Sequence, residues 1–399
     1  MTEKLYLEDS LNLEFEATVV RQSDYQGTPS LLLDRSAFYG EAGGQCGDRG
    51  VLHCTDQCLQ VVDCQYDKSG ALHHLLAQQP GDLAAGLSLH GEVDLSFRRD
   101  MMSQHSGQHL LSAALYAELG AETVSSRLGK TTSTVDIDTS PDPKAIDGVV
   151  DRVNDLILED RPIRVLFPDA DQLAGLGLRR MPKVTENIRI LEVDGFDRTP
   201  CGGTHCISTG CIGPVYVTGL ERYKGGTRIH FVAGKRCLAF LADRDRQIHE
   251  LGEQLACGAA GVSESLAAMQ RELKQRNEEL GRARTMLNEL LCDQLHQDHP
   301  PTGTQTPIVI VRPEDDLKSL RSLASALVRR EDVVALVVGR DPKSGDWRVV
   351  LERSANGAFD ANGWFRTVGA ELGGRGGGRP NRAEGRFPAD LDPSRLTIA

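Results

Sequence analysis

Residues 101–120, MMSQHSGQHLLSAALYAELG, mark the point where the chain changes its period. Apolar side chains recur there at helical spacing and Gly120 offers a stop, so a helix is expected. Upstream, within residues 11–100, LEFEATVV, SLLLDRS, LQVVDCQY and SLHGEVDLSF read as short strands joined by Gly- and Asp-rich connections. That spacing predicts a small β-barrel or sandwich. Between them lies FYGEAGGQCGDRG, a Gly-dense loop. Downstream, TVSSRLGKTTSTVDID reads as a hairpin. PDPKAIDGVVDRVNDLILED sets Ile146, Val149, Val150, Val153, Leu156 and Ile157 on one helical face, with Pro143 near its start. Strands at PIRVLF, ENIRILEV, GPVYVTGL and TRIHFVAG complete an α+β domain over about 100–240.

Residues 262–291 are of another kind. Leu266, Leu273, Leu280 and Leu287 repeat every seven residues, and Val262, Met269, Ala283 and Leu290 fill most of the offset positions. Arg276 interrupts the second row and Gly281 weakens the helix. A short coiled coil or helical arm is expected. The polar stretch 293–306, with two prolines, reads as a linker. After it, PIVIVR, DDLKSLRSLASALVRR, VVALVVG and WRVVLER give a β-α-β-β order, followed by a Gly-rich loop, GGRGGGRP.

The 399 residues carry a formal charge of −12, which disfavours a generally basic nucleic-acid binder but leaves room for a local basic face. No apolar run reaches the length of a bilayer span, and the acidic, polar start MTEKLYLEDSLNLEFE is no secretory signal. A cytoplasmic protein with no membrane partner is expected. The ten cysteines are too dispersed for a disulfide framework. Cys54, Cys58 and Cys64 have poor spacing for a zinc finger and read as ordinary cysteines.

Four residues carry the chemistry. His105 and His109 stand four apart on the expected helix, so both imidazoles project from one face. Cys201 and His205 stand four apart in TPCGGTHC, where two glycines would let the backbone turn tightly. Three imidazoles and one thiolate form a tetrahedral set that suits Zn2+. His53, His73, His74, His90, His230, His249, His296 and His299 lack such company and read as structural or surface residues. The HxxxH pair lacks the glutamate of HExxH, which argues against a metallopeptidase.

FYGEAGGQCGDRG, QHSGQHLL, STVDID and CGGTHCISTGCIG, in that order, make residues 10–240 similar to the editing domain of alanyl-tRNA synthetase and its free-standing relatives, the AlaX proteins. The tail, with GGRGGGRPNRAEG, resembles the C-terminal domain of the same synthetase, shared with the DHH phosphoesterases. Arm and tail together resemble the long form of AlaX. The family loop usually reads GGGQ followed by proline; Ala42 and Cys46 depart from it here. No class II synthetase core precedes the barrel, so amino-acid activation is not expected.

The resemblance implies an α+β protein: an N-terminal small β-barrel over 1–98, an α+β zinc editing domain over 99–245, a helical arm and linker over 246–300, and a C-terminal small α/β domain over 301–399. It implies a trans-editing hydrolase that deacylates mischarged tRNA(Ala), Ser-tRNA(Ala) first and Gly-tRNA(Ala) second, with Zn2+ and without ATP. Cognate alanine is smaller than serine, so the pocket must require the serine hydroxyl. Gln108 is the expected polar contact beside the metal, and Ser125, Ser126 and Thr204 are the candidates for reading the hydroxyl. Arg375, Arg379 and Arg382 in the Gly-rich tail are expected to meet tRNA phosphates. A homodimer through the arm or the C-terminal domain fits the same picture. The alternative is a non-catalytic, zinc-stabilised tRNA-binding module.

Overall fold

The computed structural model describes residues 2–54, 57–182, 188–298, 300 and 305–398. Glu186 and Asn187 of the expected strand ENIRILEV, His299, and residues 301–304 of the expected linker lie outside the described residues. The chain divides into two compact units, Met1–Glu250 and Leu251–Ala399.

The first unit begins with strands β1 (Glu3–Lys4), β2 (Glu14–Tyr25), β3 (Thr28–Leu33), β4 (Arg35–Ser36), β5 (Gly50–Cys54), β6 (Gln57–Tyr66), β7 (Leu72–Leu76) and β8 (Ser88–Val93). Six of them close a barrel in the order β2-β3-β7-β6-β5-β8, while β1 and β4 pair with each other in parallel. Alternation explains the closure: Phe15, Ala17 and Val19 of β2 point inward between exposed neighbours and meet Leu31, Leu33, Leu52, Val61, Leu72 and Leu89. The barrel rather than a sandwich is the outcome, because every strand finds a partner on both edges.

His74 lies fully buried in this barrel. Its Nδ1 is 3.0 Å from the Leu31 carbonyl, and its Nε2 is 2.7 Å from the Ser36 hydroxyl. A neutral ring satisfies both, donating to the carbonyl and accepting from the hydroxyl. Burial pushes the His74 pKa down from 6.5 to about 4. The folded value lies below the unfolded one, so the unfolded chain takes up the extra proton first. The contribution of the neutral ring is therefore complete above pH 6.5 and lost as pH falls through about 4. Denaturant unfolding across that window should show His74→Gln losing less stability with acid than wild type, by about 3 kcal/mol. Identical slopes would remove His74 as the source.

Helix α1 (Leu95–Leu119) follows directly. The Asp94 side chain caps its start by accepting from Phe97 N, and Gly120 ends it at φ 64°. Strands β9 (Thr123–Leu128) and β10 (Ser133–Ile137), helix α2 (Pro143–Leu158), strand β11 (Ile163–Leu166), the short helix α3 (Ala170–Gly175), and strands β12 (Ile190–Val193), β13 (Asp197–Pro200), β14 (Val215–Tyr223) and β15 (Gly226–Ala233) complete the α+β part. They form a four-stranded sheet, β14-β15-β10-β9, and a three-stranded sheet, β11-β12-β13. Leu110, Leu111, Ala114 and Leu115 of α1 share one core with Ile146, Val149 and Val153 of α2 and with Val135, Ile229 and Phe231 of the larger sheet. This core fixes the rotation of α1 and so the direction of its histidines. Helix α4 (Lys235–Gln254) runs across the boundary between the units.

In the second unit, helix α5 (Val262–Asp298) covers the expected arm in one piece of 37 residues. Leu266, Leu273, Leu280 and Leu287 are all exposed along it, while Cys292 near its end is buried with Leu320, Leu323 and Leu327. Strand β16 (Thr306–Val311), helix α6 (Leu317–Leu327), strands β17 (Val333–Arg340) and β18 (Trp347–Arg353), helix α7 (Ala361–Leu372), and strands β19 (Arg375–Arg379) and β20 (Arg382–Phe387) make a five-stranded sheet in the order β16-β17-β18-β20-β19. The expected Gly-rich loop is thus corrected: GGRGGGR enters an edge strand. Gly376 and Gly378 are needed there for close approach, since a Cβ would lie 2.3 Å from Glu384 O and 2.2 Å from Arg382 O respectively.

Candidate metal centre

His105 and His109 leave α1 one turn apart with their rings stacked, centroids 4.9 Å apart. CGGTH follows β13, and its course is set by Arg189, whose Nη1 donates to the carbonyls of Cys201 (2.7 Å) and Gly203 (3.0 Å) and whose Nε donates to that of Leu7 (2.9 Å). The loop lays Cys201 Sγ 3.1 Å from His205 Nε2 and 3.5 Å from His105 Nε2. One ligand atom from each of His105, His109, Cys201 and His205 lies within 4.8 Å of the others. Ligands of a tetrahedral site with bonds of 2.0–2.3 Å stand about 3.3–3.8 Å apart, so the four could hold a metal ion after small adjustments. His109 Nε2 supports that use: it is buried with no hydrogen-bond partner. A ring nitrogen left unpaired away from water is costly unless something occupies the place beside it.

The electrostatics point the same way. Burial pushes His109 down to about 4. His105 and His205 are pushed well below the ordinary imidazole range, by burial first and by the neighbouring imidazoles second. All three rings are therefore held neutral, the form that ligates. Burial raises the Cys201 thiol, against the Gly203 N–H and the Arg189 cation, which favour the thiolate. A cation delivered to the cluster would complete that compensation.

The glycines of CGGTH differ in kind. Neither takes a positive φ, so the tight turn expected from sequence is not their reason. A Cβ on Gly203 would stand 2.2 Å from His105 Cε1 and 2.9 Å from Gln45 Oε1, whereas one on Gly202 would meet nothing within 4 Å.

A cavity of about 650 Å³ opens beside the cluster and reaches His105, His109 and Cys201. Gln108 lines it and donates from Nε2 to Ser112 Oγ (2.8 Å), which also accepts from Thr123 Oγ1 (2.9 Å). Ser112 and Thr123 line the same wall, and sequence reasoning missed both. Ser125 and Ser126 also line the cavity, but the Ser125 hydroxyl is taken by Asp136 Oδ2 at 2.6 Å. Thr204 does not line it: the side chain is fully buried and its hydroxyl accepts from Gln45 Nε2 at 2.9 Å. Among the described residues of the wall, every charged side chain is basic, namely Lys4, Arg179, Arg180 and Arg189. The chain as a whole carries −12, so the basic lining of this wall runs against the overall charge. Arg179 is paired with Asp197 and Arg180 with Glu122.

In the second unit, Arg375 and Arg379 are exposed on edge strand β19. Arg382, opposite Arg379, is bound to Glu384 at 2.8 Å and lies 3.7 Å from Glu352, so much of its charge is spent within the sheet.

Comparison with known proteins bears on both units. Residues 8–97 match the family model of class II (A) tRNA synthetases, and residues 305–396 match the DHHA1 domain. An alanine–tRNA ligase of Methanopyrus kandleri is 27% identical over 99% of this chain and 44% of its own length. One from a Synechococcus species is 30% identical over 92% of this chain and 43% of its own length. Over nearly its whole length the chain is similar to alanyl-tRNA synthetases. It spans under half the length of these curated relatives. A crystal structure of the C-Ala domain from Aquifex aeolicus alanyl-tRNA synthetase matches 21% of this chain and 78% of that one at 30% identity, with a TM-score of 0.20 that carries no weight for the fold. No helix among the described residues is long and apolar enough to cross a membrane.

Proposed function

We propose that this chain is a zinc-dependent aminoacyl-tRNA deacylase that clears mischarged tRNA(Ala), above all Ser-tRNA(Ala). The observation that carries the reading is the cluster of three neutral imidazoles and one thiol at the wall of a basic cavity. Three nitrogens and a sulfur of borderline softness favour zinc over the hard cations. Where one of the four groups yields its place, bound zinc would supply a Lewis acid that orients an ester carbonyl or a water.

The remaining work falls to the chain itself. The ester between an amino acid and ribose is already activated, so the protein's task is to position water and to choose the acyl group. Gln108, Ser112 and Thr123 form a hydrogen-bonded chain beside His109, and Ser126 adds a further hydroxyl. A wall of this kind left facing the methyl group of alanine would lose hydrogen bonds that serine's hydroxyl restores. Discrimination on that basis can reach ~10⁴ or more. Lys4 and Arg189 supply positive charge for the sugar–phosphate end of the substrate. On the second unit, Arg375 and Arg379 are the arginines left free to meet tRNA phosphates, with Arg382 contributing less because of its carboxylate partners.

Initial rates on Ser-tRNA(Ala) and Ala-tRNA(Ala), measured with and without a chelator, test this directly. Serine should be released at least a hundredfold faster than alanine, and chelation should stop the release. Comparable rates on both would sink the hydroxyl-reading pocket. Binding of tRNA without turnover would make the protein a tRNA-binding module instead.

A further inference from the structure

Gln45 lies in the Gly-dense loop, between Ala42 and Cys46, and no part of the deacylation reading uses it. Its side chain is fully buried. The carboxamide oxygen stands 2.7 Å from His105 Nδ1 and 3.3 Å from Thr204 N, and the amide nitrogen donates to Thr204 Oγ1 at 2.9 Å. These three contacts fix which end of the amide points where. Thr204 N–H can only donate, so the group facing it must be the oxygen. The same oxygen faces His105, so Nδ1 of that ring carries the proton and donates it. His105 Nε2 is then left with its lone pair, on the side where Cys201 Sγ lies 3.5 Å away.

We infer that Gln45 is a positioning residue for the metal centre: it selects the tautomer and orientation of His105 and ties that ring to the CGGTH loop. The inference rests on the reading that the four-residue cluster binds zinc. The reason is chemical. An acceptor on the distal nitrogen of a ligating imidazole raises the basicity of the other nitrogen and restricts rotation of the ring. Gln45 does this while holding the backbone and hydroxyl of Thr204, the neighbour of His205. One carboxamide thus couples the ligand pair on α1 to the pair 96–100 residues later. The loop is held for the purpose. Ala42 and Gln45 exchange backbone hydrogen bonds at 3.2 and 3.0 Å, and Gly43 and Gly44 between them take φ of 58° and 87°. Gly44 packs so closely on β9 that a Cβ would lie 2.6 Å from Ser126 O. Glycine at both central positions permits the hairpin turn that aims Gln45 inward.

The test uses the full chain and reads metal, not turnover. Zinc affinity is measured by chelator competition, and the absorption of the cobalt-substituted protein reports ligand geometry. Gln45→Leu removes the acceptor at similar volume and should weaken zinc binding about tenfold to a hundredfold with an altered cobalt spectrum. Gln45→Glu keeps an oxygen on His105 Nδ1 and should restore both. Equal affinity and an unchanged spectrum in folded Gln45→Leu would overturn the assignment. So would an affinity for Gln45→Glu as low as for Gln45→Leu, since packing and not the acceptor would then be at stake. If Gln45→Leu does not fold, Gln45→Glu decides alone, because a stronger acceptor predicts zinc held at least as tightly as in wild type. Absence of zinc from wild type is a different failure: it removes the metal reading itself and this assignment with it.

Discussion

Gly203→Ala should strip the protein of its metal and lower deacylation roughly a hundredfold or more, while Gly202→Ala should leave both close to wild type. The two positions are adjacent and neither has a left-handed backbone, so intrinsic strain predicts no difference between them. The difference lies in what each faces. A methyl group on Gly203 would overlap His105 at Cε1 (2.2 Å) and Nδ1 (2.5 Å) and press on Gln45 Oε1 (2.9 Å). His105 cannot yield, because its helix is locked into the core shared with α2 and the four-stranded sheet. The loop must move instead, carrying Cys201 and His205 with it. A displacement of about an ångström is enough to break a tetrahedral set, and such misplacements cost catalysis on the order of a hundredfold. Metal content of the two purified variants, with thermal melting to show that both fold, is the check. Equal metal in Gly203→Ala and wild type would mean that the loop is softer than its packing implies.

The contrast between these glycines also shows what could be read from the sequence. The four-residue cluster was legible because its spacing is local: i and i+4 on a helix, and i and i+4 across a Gly-Gly pair. The helix that bears the two histidines was legible for the same reason, although it begins at Leu95 rather than at 101, and so was the heptad row of α5. What could not be read depends on groups distant in sequence. Gln45 meets His105 across 60 residues and Thr204 across 159, so nothing in its own neighbourhood marks it. Thr204 was expected in the pocket because it sits inside the motif, yet its hydroxyl turns away toward Gln45. Ser125 reaches the cavity wall, but Asp136 on the paired strand claims its hydroxyl. Ser112 and Thr123 carry no motif and matter through each other. Glycine content misled in GGRGGGR, where composition suggests a loop and tight pairing with β20 demands glycine within a strand. The cylinder was ambiguous between barrel and sandwich because strand patterns give facing, not closure.

Removing the carboxylate of Asp48 should destabilise the first unit by about 3–5 kcal/mol, the other large effect expected of a single change. Asp48 and Arg98 are both completely buried and form an ion pair. Asp48 Oδ2 accepts from Arg98 Nε at 3.0 Å and from Tyr39 N at 2.7 Å. Arg98 also donates to the Ser10 and Ala37 carbonyls, at 2.6 Å each. One guanidinium thereby joins the N-terminal segment, the loop before β5 and the first turn of α1. The pair itself adds little net stability, because desolvating two charges offsets most of their attraction. Breaking it is another matter, since Asp48→Ala leaves a buried cation whose counter-charge is gone. Arg98→Met should also be destabilising, as it orphans two carbonyls along with Asp48. The double variant should lose clearly less than the sum of the singles, because the uncompensated charge present in each single is absent from it. Denaturant unfolding of the four proteins closes the cycle. Arg98 stands two helical turns before His105, so the same anchor sets the height of α1 against the barrel. Asp48→Ala protein that still folds should therefore hold its metal less tightly. Additive losses with unchanged metal affinity would show the pair to be a passive tenant of the interior.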